Sequence, residues 1–203
     1  MPAPRLTADR ITAAALALVD ADGPDALSMR ALADRLGVGT MTLYGYFRSR
    51  DELLDAVVDA ATTEAVAAPT DPAPATGLHQ LFSRFHQALT RHPGLQQLRA
   101  SHRFLSPGIL RLTDRALGLL LDAGLDDLAA NRAYRVLYLF TLGCATYASA
   151  DPDVTRRSLS ALPEHGFEHL RRLAPTVAAT TGDAEEFPTG LAVVINAVTA
   201  QPA

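Results

Sequence analysis

Two short helices joined by a glycine turn are written into residues 27–54, LSMRALADRLGVGTMTLYGYFRSRDELL. Ser28 is a good helix N-cap, and Leu27 and Leu32 take the N′ and N4 positions of a hydrophobic staple. Met29, Leu32, Ala33 and Leu36 recur at helical spacing and make one buried face. Gly37 stops this helix, because glycine accepts the left-handed C′ conformation at little cost. Thr40 is placed to cap a second helix, in which Leu43 and Phe47 lie four residues apart and face the first. Thr42, Tyr44 and Tyr46 are then directed elsewhere, mostly outward. Ser49 and Glu52 form an S-x-x-E capping box that opens a third, longer helix. Two helices on a tight turn, the second showing small polar and aromatic side chains, suit a DNA reader.

Residues of about 5 to 60 resemble the DNA-binding domain of the tetracycline-repressor (TetR) family of bacterial regulators. The run ITAAALALVDADGPDALSMRALADRLGVGTMTLYGYFRSRDELLDAVVDA carries the resemblance. Its distinctive part is LGV-x-x-x-TLY-x-x-F, followed by a basic residue and a D-E-L-L helix start. The resemblance implies that Thr42 and Tyr44 read base edges from the middle of the recognition helix. It brings Gly39, Thr40 and Met41, at that helix's start, close to phosphate or bases. Tyr46, Arg50 and Ser28 match phosphate contacts, and Arg30 is within reach of a base or a phosphate. Gly45 departs from the family, where a bulkier residue is common, and lowers helicity at that point.

The charge balance limits how such a reader works. All 18 basic side chains are arginine, and the net charge is −4. Residues 1–60 hold six arginines against nine acids, a net of −3, which argues against coating nucleic acid by bulk positive charge. A sequence reader using helix N-termini, hydroxyls and a few placed arginines remains compatible. No apolar run approaches the roughly 18 residues of a membrane span. The start, MPAPRLTADR, lacks the apolar centre of a secretory leader, and the lone Cys144 fits a reducing compartment. A cytoplasmic protein without membrane partners is expected.

The rest of the chain reads as helix throughout. A first helix is capped by Thr7, with Ile11, Ala14, Ala15, Leu18 and Val19 as its buried stripe, and ends at Asp22-Gly23-Pro24. The long third helix of the reader runs from about Arg50 to Ala65. AAPTDPAPAT at 67–76 marks a boundary between domains at 1–66 and 67–203. Helices follow near 77–91 and 95–104, from Ser106-Pro107 to about 122, and from a cap at Asp126 or Asp127 to about 150. After a loop, helices are expected near 163–173 and 185–199, the last becoming regular at Phe187 because of Pro188.

The fold class is therefore all-α, a three-helix helix-turn-helix domain followed by a helical bundle. The helices near 128–150 and 185–199 carry more apolar surface than a small monomer needs, and the resemblance makes them a homodimer interface. It also puts a small-molecule site in the bundle, without fixing its residues. Phe82, Phe85, His86, His102, Phe104, Tyr134, Tyr138 and Tyr147 are candidates to line it, plain core being the commoner role for each. His165 and His169 have a metal-ligand spacing but no further ligand set, so a solvated face is the simpler reading. Cys144 lacks a His or Asp partner and reads as a small hydrophobe. No cofactor, metal or catalytic constellation is expected.

Taken together, these features predict a DNA-binding regulator, a homodimeric repressor on palindromic operator DNA that a small molecule releases. A helical small-molecule binder that has lost DNA binding is one alternative, supported by the acidic 1–60 segment. A DNA-binding dimer without ligand control is the other.

Overall fold

The structure, a computed structural model, describes residues 5–92, 106–147, 151–163 and 165–200. The expected helix near 95–104 lies outside these residues, and with it His102 and Phe104. All regular structure among the described residues is helical. Helix α1 spans Ala8–Asp22, α2 Met29–Leu36, α3 Thr40–Tyr44, α4 Arg50–Ala67 and α5 Pro74–Arg91. Then come α6 Pro107–Asp122, α7 Asp127–Tyr147, α8 Pro152–Ser160, α9 Glu168–Thr180 and α10 Glu186–Thr199.

Local chemistry sets most of these boundaries. The hydroxyls of Thr7, Ser28, Ser49 and Ser106 accept the N–H groups of Arg10, Ala31, Glu52 and Ile109, which opens α1, α2, α4 and α6. Asp126, rather than Asp127, caps α7 by accepting from the Ala129 N–H at 2.8 Å. Gly37 ends α2 at φ 67°, the left-handed conformation that the sequence requires there.

Helix α4 is the hub. It packs on α1 toward the N-terminus and on α5 and α6 toward the C-terminus. Leu53, Leu54, Val57 and Val58 are fully buried and join one apolar core that runs from Ile11 to Ile195. Its second half is tied polarly to α6. Asp59 Oδ1 accepts from the Gly108 N–H and lies 3.5 Å from the Arg111 guanidinium. Arg115 donates to the Val66 and Ala68 carbonyls at 2.8 and 3.0 Å. A second tie bypasses α4, because His92 at the end of α5 meets Asp20 of α1 at 2.7 Å.

Five expectations need correction. Gly39 occupies the N-cap of α3, so Thr40 is its first residue and supplies no side-chain cap. Helix α5 starts three residues early, since Pro74 is well suited to a first helical turn. The loop expected after residue 151 contains α8, capped by the Asp151 carboxylate on the Asp153 N–H. Helix α9 begins later than expected, beyond Gly166 at φ 95°, and continues through Pro175. That proline removes one hydrogen bond, but α9 lies along α8, with Ala174 and Ala178 at the groove between them. Finally, α10 starts at Glu186, which makes Pro188 its third residue, where no intrahelical N–H is needed.

Helices α7 and α10 are two-faced. Ala130, Ala133, Leu137 and Ala145 of α7 and Phe187, Leu191 and Ile195 of α10 are buried in the bundle. Leu128, Val136, Leu139 and Tyr147 of α7, with Val193 of α10, are exposed on the other side. No helix among the described residues is long and apolar enough to cross a membrane.

Candidate nucleic-acid interface and ligand cavity

Helix α3 is held from beneath and bare on top. Leu43 is fully buried and Phe47 nearly so, and the helix packs on α2. Thr42 is exposed, Met41 is 80% exposed and Tyr44 44%. Gly39 is exposed and Thr40 half-buried, while Arg30 projects into solvent from the first turn of α2. Gly45 ends the helix after five residues, although Phe47 N–H still reaches the Leu43 carbonyl at 2.9 Å. The structure thus brings Arg30, Gly39, Met41, Thr42 and Tyr44 to the exposed surface of one helix-turn-helix unit.

Three of the remaining candidates have structural duties. The Tyr46 hydroxyl donates to the Leu6 carbonyl at 2.9 Å, which pins the turn after α3 to the chain entering α1. Ser28 caps α2. Arg50 points inward from the first residue of α4: its Nε donates to the Leu27 carbonyl at 2.8 Å and its Nη2 to the Pro24 carbonyl at 3.0 Å. The guanidinium that the motif aligns with a phosphate clamp is therefore engaged on the α1–α2 connection, where the Pro24 carbonyl also accepts the Leu27 N–H at 3.2 Å. The capping box also differs in one half. Glu52 accepts from the Arg48 N–H at 2.6 Å, one residue before the usual Ser49 N–H.

Ser28→Ala is expected to cost about 1 kcal/mol, the usual worth of such a cap. A thermal melt would show a drop of a few degrees. An unchanged melt would mean that the staple of Leu27 and Leu32 alone fixes the start of α2.

A second feature lies in the bundle. Helices α5, α7 and α10 and the turn at 182–184 border a half-open cavity of about 490 Å³. Its walls are His86, Leu139, Phe140, Gly143, Cys144, Tyr147, Gly182, Asp183, Ala184, Glu186 and Phe187. The His86 ring stacks on Phe187 with centroids 3.7 Å apart, and Phe140 lies 5.8 Å from Phe187 on a near-parallel plane. Burial holds the His86 imidazole below its ordinary pKa, so it is neutral at pH 7. Burial, helped by the nearby Glu186 carboxylate, pushes the Cys144 thiol up and keeps it protonated.

Of the sequence candidates, His86 and Tyr147 border this cavity. Phe82 and Phe85 are fully buried core, and Tyr138 stacks on Phe85 at 5.8 Å. The Tyr134 hydroxyl meets that of Thr113 at 2.7 Å. Sequence reasoning missed Phe140, Asp183, Glu186 and Phe187, because the cavity arises where the 182–184 turn meets α5 and α7, and no local pattern encodes that meeting. His165 lies in the bend before α9, so it shares no helical face with His169. No group of ligating side chains that could hold a metal occurs among the described residues.

Comparison with known proteins agrees with this architecture. Residues 11–57 match the family described as bacterial regulatory proteins, tetR family, and residues 69–201 match the tetracyclin repressor-like C-terminal domain. The chain is 32% identical over 159 residues to the HTH-type transcriptional repressor DrrR1 of Streptomyces coeruleorubidus, covering 77% of this chain but only 59% of that relative's length. It is 29% identical over 196 residues to the class A tetracycline repressor of transposon 1721 from Escherichia coli, covering 95% of this chain and 90% of that protein. Among solved structures, ActR of Streptomyces coelicolor in complex with actinorhodin superposes with a TM-score of 0.82 at 31% identity, covering 98% of this chain and 97% of that one. With family matches over both the reading head and the bundle, the chain belongs to the tetR family of bacterial regulatory proteins.

Proposed function

We propose that the protein is a homodimeric, cytoplasmic repressor that binds palindromic operator DNA and is released by a small molecule. Residues 1–66 form the reading domain, and residues 67–203 carry the dimer interface and the ligand site. The observation that carries this reading is α3, which buries Leu43 beneath and leaves Met41, Thr42 and Tyr44 uncovered above. Those three side chains add nothing to the core, and they stand where a recognition helix meets base edges in a major groove.

One such helix reads few bases, so a second copy is required. The exposed apolar residues Leu128 and Val136 of α7 and Val193 of α10, none of them in the cavity wall, support a four-helix contact between two copies. Two-fold symmetry would set the recognition helices in successive major grooves about 34–36 Å apart. Ligand control is supported by the cavity against α5, α7 and α10 and by the likeness to ActR, which was crystallised with actinorhodin. Ligand and operator must then oppose each other reciprocally, each weakening the other by the same factor.

The acidic 1–60 segment favours a second reading, a ligand binder without DNA affinity. A gel shift against DNA flanking the protein's own gene, paired with sedimentation of the free protein, separates the two. The expected result is a dimer that retards this DNA at low salt and leaves unrelated DNA of equal length free. A monomer that retards neither would overturn the repressor reading.

A further inference from the structure

We infer that the cavity between α5, α7 and α10 takes a flat aromatic cation. This rests on the ligand-site reading above and names the chemistry of that site. The shape argument comes from the rings. His86 and Phe187 are stacked on one another within 7° of parallel and Phe140 lies within 19° of Phe187, so one wall is built of aromatic rings in near-parallel planes. A volume of about 490 Å³ suits a molecule of three or four fused rings.

The charge argument comes from what surrounds those faces. Asp183 and Glu186 stand at the cavity, and no arginine is among the described residues lining it. Asp183 spends one oxygen on the Glu185 N–H at 3.1 Å, and Glu186 has no ion-pair partner among the described residues. His86, the one basic group among the described lining residues, is neutral because burial lowers its pKa. Among the described residues, an anion would meet two carboxylates and no counter-charge. A cation finds both these charges and ring faces that attract it.

The test uses the full chain and two xanthene dyes of similar shape and opposite charge, rhodamine 6G and fluorescein, titrated by fluorescence anisotropy. Rhodamine 6G is expected to bind at least about tenfold more tightly than fluorescein, the scale of one desolvated charge contact. The Asp183→Asn/Glu186→Gln double variant should lose about that factor for rhodamine 6G alone, since asparagine keeps an acceptor for the Glu185 N–H in the turn before α10. A Cβ on Gly143 meets no atom within 4 Å, so Gly143→Leu can start its side chain from the cavity wall and obstruct the space a flat ring system needs. It should remove rhodamine 6G binding while the helical circular dichroism and the melt are retained.

Equal affinity for the two dyes, no rhodamine 6G binding, or binding indifferent to the double variant would overturn the cation assignment. Binding that survives Gly143→Leu would overturn the site. The repressor reading fails separately. If rhodamine 6G fills the cavity as described but does not release operator DNA, the cavity chemistry stands and ligand control falls.

Discussion

Alanine at both Thr42 and Tyr44 should weaken operator binding by roughly 30-fold to 10⁴-fold. Thr42 and Tyr44 together are counted as one good base contact per half-site, worth about 1–3 kcal/mol, and a symmetric dimer loses it twice, so the penalty is about 2–6 kcal/mol. Stability is the control. Both side chains are exposed on α3, and substitutions at such positions usually stay within about 0.5 kcal/mol. The measurement is a gel-shift titration at one fixed salt concentration, beside a thermal melt of each protein. An unchanged melt with lost operator affinity assigns the reading role to α3. A double variant that binds as tightly as wild type would remove that role.

Gly108→Ala should destabilise the protein by about 1–3 kcal/mol, the range for overpacking a well-filled site. On helix propensity alone the change would help, by about 0.5–1 kcal/mol, so the clash decides the sign. A Cβ at Gly108 would run into the Thr62 hydroxyl and sit 3.0 Å from Asp59 Oδ1 and 3.3 Å from the Thr63 backbone nitrogen. Thr62 cannot simply turn away, because its hydroxyl donates to the Val58 carbonyl at 2.8 Å. Relief requires α6 to move off α4, which also stretches the Asp59 bond to the Gly108 N–H. Gly118→Ala on the same helix is the matched control: its Cβ meets nothing within 4 Å, so it should stabilise slightly. Urea melts of the two variants should move in opposite directions. Movement in the same direction would show that the α4–α6 seam tolerates more than its spacing implies.

What the sequence disclosed and what it withheld follow from the range of the interactions involved. The caps at Thr7, Ser28, Ser49 and Ser106, and the left-handed Gly37, are contacts over a few residues, so spacing alone located them. The two faces of α3 were equally plain, since Leu43 and Phe47 are separated by one helical turn. Arg50 was not. Its partners, the Leu27 and Pro24 carbonyls, lie 23 and 26 residues away, and nothing in a motif announces which distant carbonyls the fold brings beside it. The cavity was less legible still. Aromatic residues mark core and binding wall alike, and Phe85 and Phe187 differ only in what the rest of the chain packs beside them. Helix α9 shows the same limit, because Pro175 reads as a breaker until α8 is in place alongside it.

The inward grip of Arg50 makes the reading head and the first turn of α4 one rigid piece. At about 1.5 Å of rise per residue, Arg50 stands roughly 14 Å along the helix from Asp59, where α6 holds α4. Taking that seam as a fulcrum, a tilt of about 10° displaces Arg50 by roughly 2.4 Å, and α3 travels with it. Neighbouring base pairs are about 3.4 Å apart, so such a displacement is most of one step of the duplex. The arginine stiffens a lever, whose short arm lies in the bundle and whose long arm ends at the reading head.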